Sequence, residues 1–527
     1  MKHLILAAAA LLGSATAAWP SVEISSAPTS NMVCSSGVCA PTAKKAVLNA
    51  TDLANMLAAA DVKVVTGNGA VTITVAASFS WTSASRLTLD ARQNVSFTAP
   101  VTVAGPGGLT IIYDDGGSNG DLIFFPGAKV DFWDLSSSLV IGGNSYTLVG
   151  SIATLAADLE NAPSGFYALA ADYDASGDTS WPIPEFDGFF EGVGHQISNM
   201  TLSGAPSGSK IRPNRKFGLF ANLNGGVRDL NLVHFVVSQG PSGKFYGALA
   251  GELAGSVHRV TADVNITTQR ANCYIGGLVG ENDGVIDDSS TTGVIGGCRE
   301  EGGLVGYISV HGSLTSSSSS VAVTGGGKFS FVGGLAGTNS GKIEQSSATG
   351  AIDGTHAGGL AGQNYCSLSI EQSFATGDVT GRIDAGGLVG SNNSSILDSY
   401  ATGAVHGGRS ASAGGLVGSA YTTSPCNSAI VRSYSTAAVS GHGLLGGVIG
   451  KDNTSNNINN DVYWDLDTSG ITNFAQGAGN IANDGGLTGL TDTQLKSTLP
   501  QGFAFSTWTL NGRINSGYPY LIDNPPQ

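Results

Sequence analysis

The sequence has few charged residues and no long apolar run beyond its N-terminus. Only 12% of its 527 residues are charged, whereas 41% are apolar, which is typical neither of disordered chains nor of membrane proteins. No later segment has the length and apolarity of a transmembrane helix. The 24 basic and 39 acidic residues give a net charge of −15. Because a negative surface repels phosphate, we expect no nucleic-acid partner.

Short motifs of enzymes and metal sites are also absent. The sequence contains no GxSxG motif, no P-loop and no HExxH motif, and its eight His are dispersed. No CxxC pair occurs, and no His stands at ligand spacing from a Cys pair. We therefore predict no catalytic residues, no cofactor and no enzyme activity.

The N-terminus indicates export. Lys2 and His3 precede an apolar run from Leu4 to Leu12, and Ala15-Thr16-Ala17 fits a small-residue cleavage site. The alternatives are a buried helix or a membrane anchor, but the run is too short to span a bilayer. We predict a signal peptide at residues 1–17. The mature protein is then soluble and secreted or on the cell surface, with the periplasm as an alternative.

A short glycine-rich core recurs through the second half of the chain. The sequence GGLVG or GGLAG, with the weaker variants GALAG first and GGVIG last, begins at Gly247, Gly276, Gly302, Gly333, Gly358, Gly386, Gly414 and Gly446. The steps are 29, 26, 31, 25, 28, 28 and 32 residues. Repeats of this length indicate a solenoid, and they are too short for propeller blades.

Each core is followed by a second pattern that is typical of strands. Segments such as GKIEQSSATGAI and SSILDSYATGAV alternate apolar and polar residues and are rich in Ile, Val, Ser and Thr. Stacked repeats would pair parallel strands about 4.8 Å apart, and parallel crossovers are right-handed in nearly all cases. We predict an all-β chain folded as a right-handed parallel β-helix of about 15 coils, with short capping helices and a C-terminal cap. A β-sandwich is the alternative.

The repeat also predicts which side chains face the core. In the unit that begins at Ala385, Leu388, Ile396 and Val405 would point inward, and Ser399 and Ala401 are small enough to fill a thin interior. The glycines would permit sharp corners and close approach of backbones.

These G-L-x-G cores with a trailing S-x-A-T-G resemble the GLUG repeat of bacterial exoproteins related to filamentous haemagglutinin. The passages FDGFFEGVGHQISNMTLSG, NDVYWDLDTSG and GYPYLI are similar to segments of the same proteins. The resemblance covers about residues 51–522 and implies a β-helical shaft with a cell-surface or adhesion-related role.

The repeats divide the mature chain into four parts. We expect an N-terminal linker with a Cys34–Cys39 loop at residues 18–50, and an N-terminal β-helical region with its cap at residues 51–246. GLUG-type repeats follow at residues 247–460, and a C-terminal cap occupies residues 461–527.

Three segments are expected to form helices that protect the ends of the solenoid. Thr51–Val62 has apolar residues at helical spacing with Thr51 as the N-cap, and would cover the N-terminal edge; a partner-binding helix is the alternative. Leu155–Pro163 is a second candidate that would interrupt the coil. Thr491 and Gln494 form a capping-box pattern. The tail aromatics would pack over the last coil, namely Phe503, Phe505, Trp508, Tyr518 and Tyr520.

Six cysteines in an exported chain indicate disulfides. Cys273 and Cys298 hold nearly the same position on adjacent coils, so we predict that they are bridged; Cys34 and Cys39 would close a small loop. Cys366 and Cys426 match in position, but one coil lies between them. Longer segments around both could bulge and meet over that coil, and the alternative is two free buried thiols.

Acidic residues raise the alternative of a polysaccharide-active β-helix. The repeats carry Asp287, Asp288, Glu344, Glu371 and Asp398, and we expect the last three to share one position before a Ser. Such a column of acids could bind a cation. However, Arg432 occurs in the same pattern, which favours a position that faces solvent and accepts any polar residue.

The densest acidic segment is DYDASGD. Asp172, Asp174 and Asp178 alternate around Gly177 like the start of a calcium loop, although position twelve is Ile183 and not Glu. The alternatives are a calcium site and a hydrogen-bonded turn.

We therefore expect a secreted, monomeric, non-enzymatic β-helical protein, adhesin-like, at a cell surface or in a matrix, with a host surface protein or glycan as partner. A glycan-binding or polysaccharide-active β-helix is the first alternative, and a purely structural spacer is the second.

Overall fold

The computed structural model describes residues 20–67, 69–117, 119–178, 183–203, 216–238, 244–268, 272–454 and 458–526. The chain forms two compact units, which divide between Leu148 and Val149. It is nearly all β, with about 16 turns of β-solenoid and three short α-helices. The predicted parallel β-helix is therefore confirmed. The predicted signal peptide at residues 1–17 lies outside the described residues.

The first unit contains fifteen strands and one helix among its described residues. They are β1 Ser21–Ser25, β2 Met32–Ser35, β3 Val38–Pro41, β4 Lys45–Asn49, α1 Ala50–Leu57, β5 Val62–Val65, β6 Thr72–Val75, β7 Phe79–Trp81, β8 Arg86–Asp90, β9 Val95–Phe97, β10 Val101–Val103, β11 Gly108–Ile112, β12 Leu122–Phe124, β13 Val130–Phe132, β14 Ser138–Ile141 and β15 Asn144–Val149.

Three strands make one coil in this unit. Strands β6, β9 and β12 stack in parallel in one sheet, β7, β10 and β13 in a second, and β8, β11 and β14 in a third. Each strand alternates buried and partly exposed residues, as expected where one face of a sheet lines the core. The hairpins β2–β3 and β14–β15 are antiparallel.

The segment expected to be an N-terminal linker is part of the first unit instead. Strand β1 lies between β4 and β6 and pairs in parallel with both. Composition alone does not reveal it, because its strands are short and are separated by the Cys34–Cys39 hairpin. The boundary expected at residue 51 is therefore wrong.

Helix α1 takes the place of a strand in the first coil. It follows β4 in the chain and precedes β5, and Leu53 and Leu57 are fully buried. The Ser83 hydroxyl, just after β7, donates to the carbonyl of Leu57. The helix thus covers the N-terminal edge of the β7 sheet, as predicted, but its N-cap is Asn49 and not Thr51.

The strands of the second unit are as follows. They are β16 Phe166–Leu169, β17 Tyr173–Asp174, β18 Ile183–Phe186, β19 Phe189–Glu191, β20 Gln196–Ser198, β21 Thr201–Ser203, β22 Lys216–Phe217, β23 Phe220–Leu223, β24 Gly226–Ser238, β25 Phe245–Tyr246, β26 Ala250–Leu253, β27 Ser256–Thr267, β28 Tyr274–Gly276, β29 Val279–Asn282, β30 Val285–Asp287, β31 Ser290–Gly296, β32 Glu300–Gly302, β33 Val305–Ile308, β34 Ser313–Thr315, β35 Ser318–Ser319, β36 Ala322–Thr324, β37 Phe331–Gly333, β38 Ala336–Asn339, β39 Lys342–Glu344, β40 Ser347–Ala348, β41 Ile352–Gly358, β42 Ala361–Glu371, β43 Phe374–Ala375, β44 Val379–Gly386, β45 Val389–Leu397, β46 Tyr400–Ala401, β47 Val405–Gly407, β48 Ser412–Gly414, β49 Val417–Tyr421, β50 Ala429–Ser435, β51 Val439–Gly441, β52 Leu444–Gly446, β53 Ile449–Asn453, β54 Asn460–Asp465, β55 Leu487–Leu490, β56 Trp508–Thr509 and β57 Tyr520–Leu521. Its helices are α2 Ile152–Leu159, α3 Asp492–Ser497 and a 3-10 turn at Asn515–Gly517.

The glycine cores stack in the register that the sequence predicts. Six successive pairs join their first glycines, which are Gly276, Gly302, Gly333, Gly358, Gly386, Gly414 and Gly446. Leu388, Ile396 and Val405 are fully buried, as are the small residues Ser399 and Ala401. All five residues expected inside the solenoid are therefore inside it.

In the second unit, one corner of the coils carries a column of non-glycine residues in the left-handed backbone region. The column comprises Val193, Asp229, Arg259, Asp288, Ser316, Gln345, Gln372, Asp398, Arg432 and Asp461, with φ between 43° and 54°. The following residue is a Ser in six of these coils, for example Ser346. Its amide donates to the hydroxyl of the Ser on the next coil, and its own hydroxyl donates to the carbonyl two residues earlier. These buried hydroxyls satisfy the polar groups of the corner.

The other two helices flank the coils of the second unit. Helix α2 is capped by Ser151 and buries Ile152, Leu155 and Leu159, and in chain order it lies between β15 and β16. Helix α3 begins with the predicted capping box of Thr491 and Gln494.

The C-terminal aromatic residues lie along the side of the solenoid and not only over its last coil. Phe374, Tyr400, Tyr434 and Tyr463 stand on four successive coils and form one buried cluster with Phe503, Trp508, Tyr518 and Leu521. The Asn524 amide reaches the carbonyls of Ser346 and Gln372. The expected cap over the last coil is therefore wrong in its position, and Phe505 is 83% exposed.

Candidate functional site

Close backbone contacts leave no room for side chains at the glycines of the cores, as the core that begins at Gly333 shows. A Cβ atom on Gly333 would lie 2.0 Å from the carbonyl of Ala336, and one on Gly334 would lie 2.2 Å from the carbonyl of Gly359 on the next coil. A Cβ atom on Gly337 would lie 2.5 Å from the amide of Glu301 on the preceding coil. No side chain fits at these distances, so the turn brings the strands before and after it very close together.

Outward side chains from these two strands meet above the turn and form what we call the lateral seam. The first wall comprises Lys216, Phe245, Tyr274, Glu300, Phe331, His356, Asp384, Ser412 and Leu444. The second wall comprises Asn222, Glu252, Glu281, Tyr307, Thr338, Gln363, Ser391, Ser419 and Lys451. Polar and aromatic residues are thus concentrated on one side of a thin apolar solenoid.

Aromatic rings and cations pack against each other in the N-terminal part of the seam. The rings of Phe245 and Tyr274 stack at 5.1 Å between centroids, with the Lys244 ammonium 4.4 Å from the Phe245 centroid. Tyr274 also meets Tyr307 of the second wall edge to face at 5.9 Å. Because the ring faces contact other side chains, they offer no open platform for stacking a sugar ring.

Carboxyl groups of the seam are shifted toward their protonated form. Burial raises the pKa of Glu281, and the charge of Glu252 adds to this effect. Burial likewise raises the pKa of Glu300, and the charge of Arg299 opposes this shift. Cations beside them reduce the shifts, since Lys244 lowers the pKa of both groups. The seam therefore holds its acids against neighbouring cations rather than around an open cleft.

In the C-terminal part of the seam, hydrogen bonds replace the aromatic stacks. His356 Nδ1 lies 2.6 Å from Asp384 Oδ2 on the next coil. The Gln363 amide donates to the Tyr421 hydroxyl at 3.0 Å, two coils further on.

Two loops leave the solenoid next to this part and are joined by Cys366–Cys426. A register shift between Tyr365 and Ser369 makes the first bulge, and the Asn393 amide on the intervening coil donates to Thr423 in the second loop. Tyr365 is 46% exposed and Leu368 is 60% exposed. The loops therefore meet over the middle coil, as one of the two alternatives from the sequence predicts.

The other two predicted disulfides are also present. Cys273 and Cys298 lie on adjacent coils with their Cα atoms 5.1 Å apart, and Cys34 pairs with Cys39. All six cysteines are thus bridged and none is free.

The acids proposed to form a column do not share one position. Glu344 and Glu371 are direct partners on adjacent coils, but the residue opposite Glu371 on the next coil is Leu397. Asp398 is displaced by one residue and occupies the left-handed corner. There it accepts two hydrogen bonds from Arg432, at 2.9 and 2.6 Å, and one from the Trp508 indole. The expectation of a shared position for all three is therefore wrong.

Asp287 and Glu344 each lie beside a basic side chain. Asp287 lies 2.9 Å from His258 Nδ1, and Glu344 lies 2.8 Å from Lys342 Nζ. Burial raises the pKa of Asp288. Within the described ranges, no group of three or more His, Cys, Asp or Glu could hold a metal ion.

The three carboxylates of the proposed calcium loop face different partners. Asp172 lies 2.9 Å from His195 Nδ1, and Asp174 accepts hydrogen bonds from the Ser176 amide and the Asn199 side chain. Asp178 accepts from the Tyr173 hydroxyl at 2.8 Å. The hydrogen bonds of Asp174 are those of the alternative interpretation, an Asx turn.

A buried charge network in the second unit escaped the sequence analysis. Arg228 lies 2.9 Å from Glu191 and 3.0 Å from Asp229, which also accepts from Arg259 at 2.6 Å. Burial raises the pKa of Glu191 to about 8, and Arg228 opposes that shift. The sequence pattern that could have predicted this network is the alternation of acid and Arg in the left-handed corner, at Asp229, Arg259 and Asp288. The same alternation recurs at Asp398, Arg432 and Asp461.

One carboxyl group points into the core itself. Glu301 is fully buried in a column of Ile275, Val332 and Ala357, and accepts a hydrogen bond from the Cys298 amide. Burial raises its pKa to about 8, and the hydrogen bond from the Cys298 amide opposes that shift. Glu301 thus accepts from one amide of the corner that holds the Cys273–Cys298 bridge.

An open polar cavity of about 520 Å³ lies in the first unit. Asp90, Arg92 and Asp115 line it together with backbone of Val65 to Gly67 and Gly116. Asp90 lies 2.6 Å from Lys63 Nζ. Because Asp90 is paired with Lys63, the cavity is a polar recess on the surface in which the acids do not converge on one point.

No helix in the described part of the chain is long and apolar enough to cross a membrane.

Comparison with known proteins gives a partial similarity. No family model matches the chain. A stretch of 250 residues, 44% of this chain, is 28% identical to halomucin of Haloquadratum walsbyi. The chain spans only about 2% of the length of that protein.

Comparison with solved structures gives a weak similarity. It is the crystal structure of a "putative immunoglobulin A1 protease" from Bacteroides ovatus, with 16% identity and a TM-score of 0.27 over 72% of this chain and 93% of that one. At this TM-score the likeness carries no argument about function.

Proposed function

We propose that the protein is an extracellular, non-enzymatic β-helical protein of the GLUG-repeat, filamentous-haemagglutinin-like kind, which acts as an adhesin-like component of a cell surface or matrix. The observation that carries this proposal is the Cys366–Cys426 bridge, which holds two loops outside the coils with Tyr365 and Leu368 exposed. Exposed aromatic and apolar side chains on a rigid support are typical of binding surfaces.

Export is supported by the three disulfides, because such bonds persist in oxidising compartments. The partial similarity to a protein named as a mucin fits an extracellular location. The N-terminal sequence, which reads as a signal peptide, supports the same location.

A non-enzymatic role is supported by the pairing of the acids. Polysaccharide cleavage by two carboxyl groups needs them to converge on a substrate-sized gap. In the described repeats, Asp287, Glu344 and Asp398 each lie against a separate basic side chain.

The proposal is tested by binding. The purified mature protein is applied to a glycan array and to a panel of extracellular matrix proteins, alongside the double variant Tyr365→Ala/Leu368→Ala. We expect the wild type to bind at least one ligand and the double variant to bind it at least about tenfold more weakly.

The matched control is Phe474→Ser, which removes an exposed apolar side chain outside the two disulfide-linked loops. It should bind like the wild type. If the wild type binds no ligand, the spacer alternative is favoured; if it releases sugars from a polysaccharide, the glycan-active alternative is favoured. Either result contradicts the proposal.

A further inference from the structure

Lys216 occupies the N-terminal end of the lateral seam in an unusual environment. Its Nζ atom lies 2.5 Å from the side-chain oxygen of Asn222 and in direct contact with the Glu252 carboxylate. Asn222 and Glu252 are partners on adjacent coils, so both stand in the second wall opposite Lys216 in the first. An amine, a side-chain amide and a carboxylate therefore meet at one point.

The burial of this lysine separates it from the others that form ion pairs. The Lys216 side chain is 10% exposed, whereas those of Lys63, Lys129, Lys342 and Lys496 are between 29% and 43% exposed. The Lys216 ammonium also lies against a side-chain amide, that of Asn222. An ordinary surface ion pair requires neither a buried lysine nor a neighbouring side-chain amide.

The surrounding strands hold the three groups in place. Phe217 and Phe220, which flank the turn between Lys216 and Asn222, are buried in the core. A Cβ atom on Gly251 would lie 2.6 Å from the Lys216 Cβ, so glycine lets the strand that carries Glu252 approach closely. The Asn222 nitrogen donates to the Pro184 carbonyl at 3.1 Å, which fixes the amide from its other end.

We propose that Lys216 and Asn222 are joined in the mature protein by an amide bond between Lys216 Nζ and Asn222 Cγ. Positioning of an amine against an acyl carbon can replace a large part of the entropic barrier to such a step. A carboxylate in contact with the amine can carry its protons, as Glu252 does here.

The step balances without an oxidant or a cofactor. Glu252 takes a proton from the Lys216 ammonium, and the freed amine attacks Asn222 Cγ. The Nζ–Cγ bond forms, Glu252 passes this proton to Nδ2, and the Cγ–Nδ2 bond breaks. The attacking nitrogen then gives up its second proton, which Glu252 carries to the departing ammonia. Ammonia leaves as ammonium, and the products are one secondary amide and the regenerated carboxylate. The bond would tie β22 to β23 across the turn of this coil, whatever the protein binds.

The test is mass spectrometry of the folded, exported wild-type protein. We expect its intact mass to be lower by one ammonia than that of the processed chain with three disulfides. We also expect trypsin not to cleave after Lys216, so that Lys216 and Asn222 remain in one peptide. Fragmentation should yield no ions from breaks between these two residues, because they lie within a closed ring.

Two variants and a control identify the participants. Lys216→Arg and Glu252→Gln should both have the full, unreduced mass. Glu281→Gln changes the next carboxyl group of the same wall and should keep the mass deficit.

The wild-type result decides the proposal even if a variant fails to fold. A wild-type mass without the deficit overturns it. A deficit accompanied by normal tryptic cleavage after Lys216 also overturns it, since that combination means that ammonia was lost without a bond to Lys216.

Discussion

At the scale of single residues, the solenoid depends on backbone positions that leave no space for a side chain. A methyl group on Gly334 would lie 2.2 Å from a backbone oxygen of the next coil and 2.5 Å from the Ala348 Cβ. Neither neighbour is the flexible end of a long side chain, so the coils would have to separate locally.

We therefore expect Gly334→Ala to lower the free energy of unfolding by about 2–3 kcal/mol. Gly512 is exposed, and a Cβ atom at this position would meet no other atom within 4 Å, so Gly512→Ala should change stability by less than about 0.5 kcal/mol. Denaturant titration followed by circular dichroism measures both. Equal stability of the two variants would contradict the close stacking of the cores.

Buried carboxyl groups give the fold a dependence on pH. Burial raises the pKa of Glu301 from 4.5 to about 8, and that of Glu191 is raised as well. In the unfolded chain these groups ionise near pH 4.5, so between that pH and about 8 the folded state binds more protons. Their contribution to stability is complete below about pH 4.5 and is lost as the pH rises through about 8.

Glu301→Gln should remove part of this dependence. The amide keeps an oxygen for the Cys298 amide and cannot ionise, so the variant should be more stable than the wild type at pH 9, by an amount on the order of a few kcal/mol. At pH 5 the two should be similar. Glu160→Gln, at an exposed position, is the control for removal of a carboxyl group. A wild type that gains stability between pH 5 and 9 relative to Glu301→Gln would contradict this account.

At the scale of elements, the C-terminal segment completes the coils that it covers. One strand position can be followed from coil to coil through the register. It holds Ser318 and Ser347 on two coils and then an aromatic residue on each of the next four, namely Phe374, Tyr400, Tyr434 and Tyr463. The change from polar to aromatic residues coincides with the part of the solenoid that the tail covers.

Trp508→Ala should accordingly destabilise the protein by about 3–5 kcal/mol, because it removes a fully buried ring and the hydrogen bond to Asp398. Phe505→Ala changes a ring that is almost wholly exposed and should be nearly neutral. Denaturation midpoints and limited proteolysis of the C-terminal segment compare the two. A nearly neutral Trp508→Ala would mean that the segment does not pack on the coils.

The sequence predicts the elements that repeat, and it fails for contacts that cross the repeat. Periodic glycines determine the register, the inward position of Leu388 and the pairing of Cys273 with Cys298. The position of the tail does not follow from them, because periodicity describes stacking along the coils and contains no information about what packs beside them. The sequence also leaves open whether Asp398 aligns with Glu371 or lies one residue further along its coil. Both alignments give a Ser-rich turn of the same composition.

The candidate site was less predictable than the fold. Lys216, Asn222 and Glu252 are separated by 6 and 30 residues, and Lys216 stands in a degenerate unit that lacks the double glycine. Only the structural register places them in facing walls. The convergence of the two disulfide-linked loops was open in the sequence for a related reason, since loop length permits contact and does not require it.

At the scale of the whole molecule, the disulfides connect the coil register to the proposed extracellular role. One bridge joins adjacent coils, and one spans a complete intervening coil through two loops. Both pairings require each repeat to stack on its sequence neighbour. The exposed side chains proposed to bind a ligand depend on the second bridge for their position.

The most direct test of the central claim is therefore disulfide mapping of the purified mature protein by proteolysis without reduction. The stacking described above predicts Cys34–Cys39, Cys273–Cys298 and Cys366–Cys426, with no free thiol. A peptide that joins Cys273 to Cys366 or Cys426 would contradict the coil register and, with it, the lateral seam and the binding loops.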